Sequence, residues 1–352
     1  MALSSEQYVE PLKIDLTLDM EDYEKGVDRI LHLVRPNWSK ENITMKVFSN
    51  GITNKMLGFT HKENKSDIVL IRINGNKTEI FLDRDAEVKS FKTLHKAGCA
   101  PNLYCIFSNG LCYEYIPGNT VSREQVRDPK IYRLIAKEMA RLHKIQPEID
   151  CNGNSPAVFR YCNKFLHLSF SENSPPGRSL NGYTGPLEKE LHEELNMLEE
   201  HLSKLGSQLV YCHNDLLLNN IIYNDEKNSV HFIDFEYTGM NFQAYDIANH
   251  FCEFAGVDDA DFSFYPDYNL QIDWIKEYLK HWNKGTEPSD HDIKRLYVQV
   301  NKFALAAHFL WGTWSLTQAK YSSIEFDYLG YAQQRLDEYQ KRKEEFLALK
   351  MP

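Results

Sequence analysis

The stretch VYCHNDLLLNNIIYN at 210–224, followed by VHFIDFEY at 230–237, sets groups able to do chemistry between apolar runs. His213 stands two residues before Asp215, Asn220 stands five after it, and Asp234 falls at the end of the next predicted strand. Passing a phosphoryl group from ATP to an alcohol asks little covalent chemistry of a protein. It asks for an acceptor for the hydroxyl proton and for oxygen ligands to the Mg2+ that bridges the phosphates. Asp215 can be the acceptor, while Asn220, a neutral oxygen donor, and Asp234, an anionic one, suit a hard cation. A lone HxD is ordinary turn chemistry, because Asn and Asp side chains bond their own backbone in loops. HxDxxxxN followed by an apolar strand that ends in Asp is far more specific and points to a kinase-type site.

Such a site needs a cation on the phosphates and an acid to hold it. VLIRING at 69–75 supplies Arg72 on a strand predicted over 67–73, and a helix predicted over 83–98 supplies Glu87. Arginine can grip a carboxylate through two parallel bonds; the plainer reading is a surface ion pair of little worth. FSNGITNKM at 48–56 occupies the place of a phosphate loop, with Ser49, Asn50, Gly51, Thr53 and Asn54 as candidate ATP contacts. With one glycine it is no GxGxxG, and by itself it reads equally well as a hairpin turn. Adenine would be read by main-chain groups near Glu114, Tyr115 and Ile116.

The elements that must position these residues divide the chain. After the turn signal NGNK at 74–77, TEIFL at 78–82 reads as a further strand. LYCIF at 103–107 and LCYEYI at 111–116 form a hairpin, broken by PGN at 117–119. Beyond it a helix opens on Pro129 with Ile131, Leu134, Ile135, Leu142 and Ile145 on one face. A Ser/Pro/Gly-rich loop at 169–186 precedes leucines 187, 191, 195, 198, 202 and 205 at helical spacing, and from Gln243 the pattern is mostly helical. The expectation is an α+β chain: an N-terminal extension and helix over 1–40, a small β-rich lobe over 41–117, and a larger, mainly helical lobe over 118–352.

Asp246, Asn249, His250 and Glu253 lie three or four apart and share one helix face, as do Trp311 and Trp314. A polar face is commonly the solvated side of a helix, and aromatics at this spacing are commonly core. A small organic cation, however, needs either carboxylates or aromatic faces, and these two segments offer both. The chain has 352 residues, 42% hydrophobic and 26% charged, with a net charge of −10, which argues against a nucleic-acid partner. Seven cysteines, with no CxxC pair, fit a reducing compartment and no zinc site. The first twenty residues lack the basic and apolar regions of a signal peptide, and FALAAHFLWGTWSL at 303–316 is too short to span a bilayer, so a cytoplasmic location is expected.

Taken together the sequence resembles the choline/ethanolamine kinase family, most closely its ethanolamine branch. SNGITNK, CHNDLLLNNIIYN, FIDFEYTGMNFQAYDIANHFCEFAG and HFLWGTWSLTQAKYSSIEFDYLGYA carry the match over roughly residues 45–345. The resemblance implies a protein-kinase-like two-lobed fold and phosphorylation of ethanolamine by ATP with Mg2+, the first step of phosphatidylethanolamine synthesis. By the resemblance Asp215 is the catalytic base, Asn220 and Asp234 hold Mg2+, Glu236 supports the metal and Asp246 braces the loop through backbone amides. Glu253 meets the ammonium, and Trp311, Trp314 and Tyr331 line its pocket. Asp258, Asp259 and Asp261 tilt the reading toward ethanolamine, because a primary ammonium losing its hydration needs acceptors. Choline kinase, a dual-specificity enzyme, an aminoglycoside-type phosphotransferase and an inactive kinase-fold regulator are the alternatives. A homodimer is compatible with the resemblance, with no interface legible in the residues.

Overall fold

A computed structural model describes residues 9–48, 54–75, 78–147, 155–172, 180–322 and 324–352. The chain forms two compact units, Met1–Gly118 and Asn119–Pro352.

The first unit holds β1 (Leu12–Ile14), α1 (Glu24–Val34), β2 (Ile43–Phe48), β3 (Asn54–His61), β4 (Ile68–Asn74), α2 (Arg84–Lys96), β5 (Leu103–Phe107) and β6 (Gly110–Glu114). Its six-stranded sheet runs β1-β5-β6-β4-β3-β2, antiparallel except for the parallel β1–β5 pair. Successive side chains of a strand point to opposite faces. Val69, Ile71 and Ile73 of β4 therefore share one face, where they are fully buried in a core with Val27, Ile30 and Leu31 of α1. Arg72 takes the other face, flanked in register by Met56 of β3 and Leu111 of β6. Gly110 touches the Arg72 carbonyl so closely that a Cβ there would collide with it, which makes the β5–β6 corner a backstop for the Arg72 strand.

Two elements differ from the sequence expectation. The strand expected over 78–82 is a 3-10 turn at Thr78–Ile80 followed by buried Phe81 and Leu82. β3 and β6 already flank β4, so no place beside it remains, and neighbours rather than intrinsic propensity decide strand formation. β1 was not expected. Its three residues carry no alternation to read, and it is a strand only because β5 offers it an edge. By contrast α2 begins and ends where its signals lie: the Asp83 side chain accepts from the Ala86 amide, acids occupy the first turn, and His95 and Lys96 occupy the last.

The second unit holds β7 (Asn119–Thr120), α3 (Pro129–Leu142), α4 (Ala157–Phe170), α5 (Glu188–Ser203), β8 (Leu209–Cys212), β9 (Ile221–Asn224), β10 (Ser229–Phe232), β11 (Gly239–Phe242), α6 (Gln243–Cys252), α7 (Tyr268–Trp282), α8 (Asp290–Tyr321) and α9 (Tyr328–Ala348). The polar stretch at 213–220 does not join two paired strands. β8 pairs with β11, while β9 pairs with β10 and β7, so the stretch crosses from one small sheet to another. Every residue of α6 is buried, which removes the solvated-face reading of that helix. The 32 residues of α8, about 48 Å long at 1.5 Å per residue, pack along α9. At Gly312 an added Cβ would stand 3.0 Å from Leu336, so the absence of a side chain lets α9 lie close. Among the described residues no helix is long and apolar enough to cross a membrane, and the six described cysteines are free and buried.

Candidate active site

The loop after β8 is built around Asp246 of α6. Its carboxylate accepts from the backbone amides of His213 (2.9 Å) and Asn214 (2.7 Å) and from His143 Nε2 (2.9 Å). The Tyr278 hydroxyl lies 2.7 Å from the other nitrogen of His143. Burial alone pushes the Asp246 carboxyl upward, but the hydrogen bond and charge of His143, with His213, hold it below its usual range. Asn214 adopts a left-handed φ of 69°, uncommon outside glycine, and its amide group spans to the Tyr237 carbonyl (2.9 Å). His213 Nε2 donates to the Ile233 carbonyl (2.9 Å), and its Nδ1 accepts from the Asp215 amide (3.3 Å), which fixes the neutral tautomer. The Ile233 amide in turn donates to the Asn220 carbonyl (3.0 Å). Asp215, Asn220 and Asp234 thus hang from one hydrogen-bonded knot.

Asp234 does not end its strand. β10 stops at Phe232, and Asp234 lies two residues beyond it with a left-handed φ of 65°. Asp234 and Glu236 bring carboxylate oxygens within 4.8 Å of each other. Asn220 commits its NH2 group to the Asp215 carbonyl (2.9 Å), which keeps its amide oxygen for another partner. Burial first, then the charges of Asp234, Glu253, Glu236 and Asp246, push the Asp215 carboxyl well above its usual range. Carboxyls this close and this buried stay ionised only with cations among them. The oxygen donors Asn220 and Asp234, with Glu236 beside them, fit a hard divalent ion.

The candidate pocket residues Glu253, Trp311, Trp314 and Tyr331 are all buried in the same unit. Trp311 Nε1 donates to Asn249 Oδ1 (2.7 Å) and Trp314 Nε1 to the Tyr237 hydroxyl (2.9 Å). The rings of Tyr237 and Trp311 meet edge to face at 5.5 Å, and those of Trp311 and Trp314 at 5.6 Å. Burial raises the Tyr237 hydroxyl, and the charges of Glu236 and Asp215 raise it further, which ties this aromatic group to the carboxylates. Glu253 caps the C-terminus of α6 and pairs with Arg335 of α9 at 2.9 Å, a partner the sequence reading did not find. His143, Asn214 and Tyr237 were also missed. Asp258, Asp259 and Asp261 are exposed, and Asp261 caps a 3-10 turn through the Ser263 amide. Exposed to water, they lend no support to the ethanolamine reading, which has to rest on other residues.

In the first unit Arg72 of β4 and Glu87 of α2 form a buried ion pair, and Arg84 Nη1 donates to the other Glu87 oxygen at 2.8 Å. Burial pushes the Glu87 carboxyl upward, yet the two arginines hold it below its usual range. The Glu114 and Tyr115 amides donate to the carbonyls of Asn102 (2.9 Å) and Ile68 (3.2 Å), and the Glu114 side chain accepts from Asn102 Nδ2 (2.9 Å). Asn54 opens β3 and accepts from the Gly75 amide at 3.4 Å. Ser49, Asn50, Gly51 and Thr53 lie outside the described residues.

A β-rich unit with a strand arginine held by a helix glutamate, and a helical unit with an Asp215–Asn220–Asp234 loop whose first two members are buried, together define the protein-kinase-like class of fold. Solved structures agree over nearly the whole chain. An ethanolamine kinase from Plasmodium vivax aligns with a TM-score of 0.79 at 27% identity, covering 91% of this chain and 89% of that one. A choline kinase from Cryptosporidium parvum aligns with a TM-score of 0.79 at 26% identity, covering 93% and 96%. The chain belongs to the choline/ethanolamine kinase family, whose model matches residues 45–340. Ethanolamine kinase 1 of Mus musculus is 46% identical over 97% of this chain and 96% of its own length. A probable ethanolamine kinase of Nematostella vectensis is 42% identical over 94% and 97%.

Proposed function

We propose that the protein transfers the γ-phosphoryl group of ATP to the hydroxyl of ethanolamine, giving phosphoethanolamine. The observation that carries this reading is the buried carboxylate group around Asp215, which calls for cations. Two cations satisfy it: a divalent ion and the ammonium of a small amino alcohol. Asn220 and Asp234 would hold Mg2+, with Glu236 in support. When bound, that ion neutralises charge on the phosphate oxygens and lowers the cost of ionising Asp215. Asp215 accepts the hydroxyl proton as the oxygen attacks phosphorus. Asp246 keeps the loop in shape through two amides. In the first unit Arg72, held by Glu87, is the candidate cation for the phosphates, and Ser49, Asn50, Gly51, Thr53 and Asn54 are the candidate phosphate contacts. The Ile116 amide and the carbonyls of the 114–116 segment read adenine.

Glu253 supplies an acceptor for the ammonium and Trp311, Trp314 and Tyr331 supply aromatic walls. The names of the curated relatives favour ethanolamine. The aromatic walls also suit a methylated ammonium, so choline is the second substrate to test. The test is ADP release with Mg2+ and ATP, with and without each amine. Ethanolamine-dependent turnover with a higher kcat/KM than choline is expected. Turnover with neither amine, or only with choline, overturns the reading. Synthesis of ethanolamine phospholipid, a cytoplasmic setting and a homodimer accompany this proposal as its biological expectations.

A further inference from the structure

The Glu253–Arg335 pair changes what Glu253 can do for an amine. Arg335 is fully buried on α9, and its Nη1 donates both to Glu253 Oε1 (2.9 Å) and to the Tyr331 hydroxyl (3.2 Å). Its Nε and Nη2 are buried without a hydrogen-bond partner, so three of the five guanidinium donors are unused. Buried unpaired donors are costly and rare in native proteins. The cation instead lies near two rings, with Cζ 5.6 Å from the centre of Phe262 and 5.7 Å from that of Tyr331. One nitrogen therefore makes every hydrogen bond of the guanidinium among the described residues. The grip on Glu253 is at a single oxygen, and Oε2 accepts no hydrogen bond among the described residues.

A pair of opposite charges has no net charge to offer a substrate. The negative charge of the site resides in Asp215, Asp234 and Glu236, and Glu253 contributes a direction. We propose that Arg335 is a positioning residue that sets amine selectivity, holding Glu253 by one oxygen so that the other meets a primary ammonium as a fixed acceptor. A quaternary ammonium has no N–H to give and draws only charge attraction from the oxygen; a primary ammonium gains a directed hydrogen bond as well. This inference rests on the amine-phosphorylation reading.

The test is a cycle of Glu253→Gln, Arg335→Gln and the double variant, with Arg335→Lys alongside. KM and kcat are measured for ethanolamine, choline and ATP. If Arg335 acts through Glu253, each single variant raises the ethanolamine KM about tenfold and leaves the ATP KM within about twofold. The double variant is then no worse than Glu253→Gln, and the ethanolamine-to-choline preference falls about tenfold in all three. Lysine keeps the charge but not the planar fork, so Arg335→Lys restores folding without restoring the preference. Should Arg335→Gln fail to fold, the double variant, which leaves no lone buried charge, is compared with Glu253→Gln directly. Additive effects, or an unchanged amine preference, overturn the inference while turnover by the parent enzyme keeps the functional reading intact. A parent enzyme that phosphorylates no amine sinks both.

Discussion

Replacing Glu87 by glutamine tests whether the Arg72–Glu87 pair serves stability or chemistry. The Glu87 and Arg72 side chains are 2% and 5% exposed, and Arg84 is 20% exposed. Breaking a buried pair from one side removes the compensation that the remaining charge drew from it and costs about 3–5 kcal/mol. Arg84 can turn to water and adds at most about 1 kcal/mol. At roughly 3–5 °C per kcal/mol for a unit near this size, the melting transition of the β-rich unit should fall by about 10–20 °C. Replacing both partners, Arg72→Met with Glu87→Leu, removes both charges of the pair and should recover most of that loss. It should not recover activity, because no cation then meets the phosphates: kcat/KM for ATP should stay at least about 100-fold down. Calorimetric unfolding and ADP release on the same samples decide it. A Glu87→Gln variant melting within about 2 °C of the parent would refute the burial argument. A double variant with parental turnover would refute the phosphate role of Arg72.

Asp215→Asn should lower kcat by about 10²–10⁴ while raising the melting temperature of the metal-free protein. The sign follows from its raised folded pKa: the folded state binds this proton more tightly, so ionising Asp215 erodes stability as pH rises above the unfolded value. The gain should be present at pH 8 and vanish near pH 4; a lower melting temperature at pH 8 would contradict it. Asp246 has the opposite sign. Its folded pKa is depressed, so its contribution is complete above about pH 4 and is lost as pH falls through the folded value. The stability gap between the parent and Asp246→Asn should therefore narrow on acidification, as read by urea unfolding at several pH values. Asp234→Ala should weaken Mg2+-dependent nucleotide binding at least about tenfold by calorimetry, and an unaltered titration would remove Asp234 from the metal set.

What the sequence disclosed is what lies close together along it. His213, Asp215 and Asn220 fall within one short loop, and their spacing is enough to name a chemistry before any fold is known. The α2 boundaries were readable because capping is local, and Arg84, three residues before Glu87, was readable by the same rule but was overlooked. Arg335, His143 and Tyr237 were beyond reach: their partners are 82, 103 and 77 residues away. The acids at 258, 259 and 261 are exposed and carry no part of the ethanolamine reading, since a carboxylate reads the same in sequence whether it faces water or a pocket. The all-buried α6 shows the same limit for a helix.

Gly312 is not among the residues proposed to meet the substrate, yet its missing side chain lets α9 rest close on α8. Tyr331 and Arg335 ride on α9, Trp311 and Trp314 flank the glycine on α8, and all four belong to the proposed amine pocket. One methyl group at 312 would act as a shim, pressing on Leu336 and prying the two aromatic-bearing surfaces apart by a few tenths of an ångström. The width available to an incoming headgroup is thus adjustable from behind, without altering any side chain that would meet it.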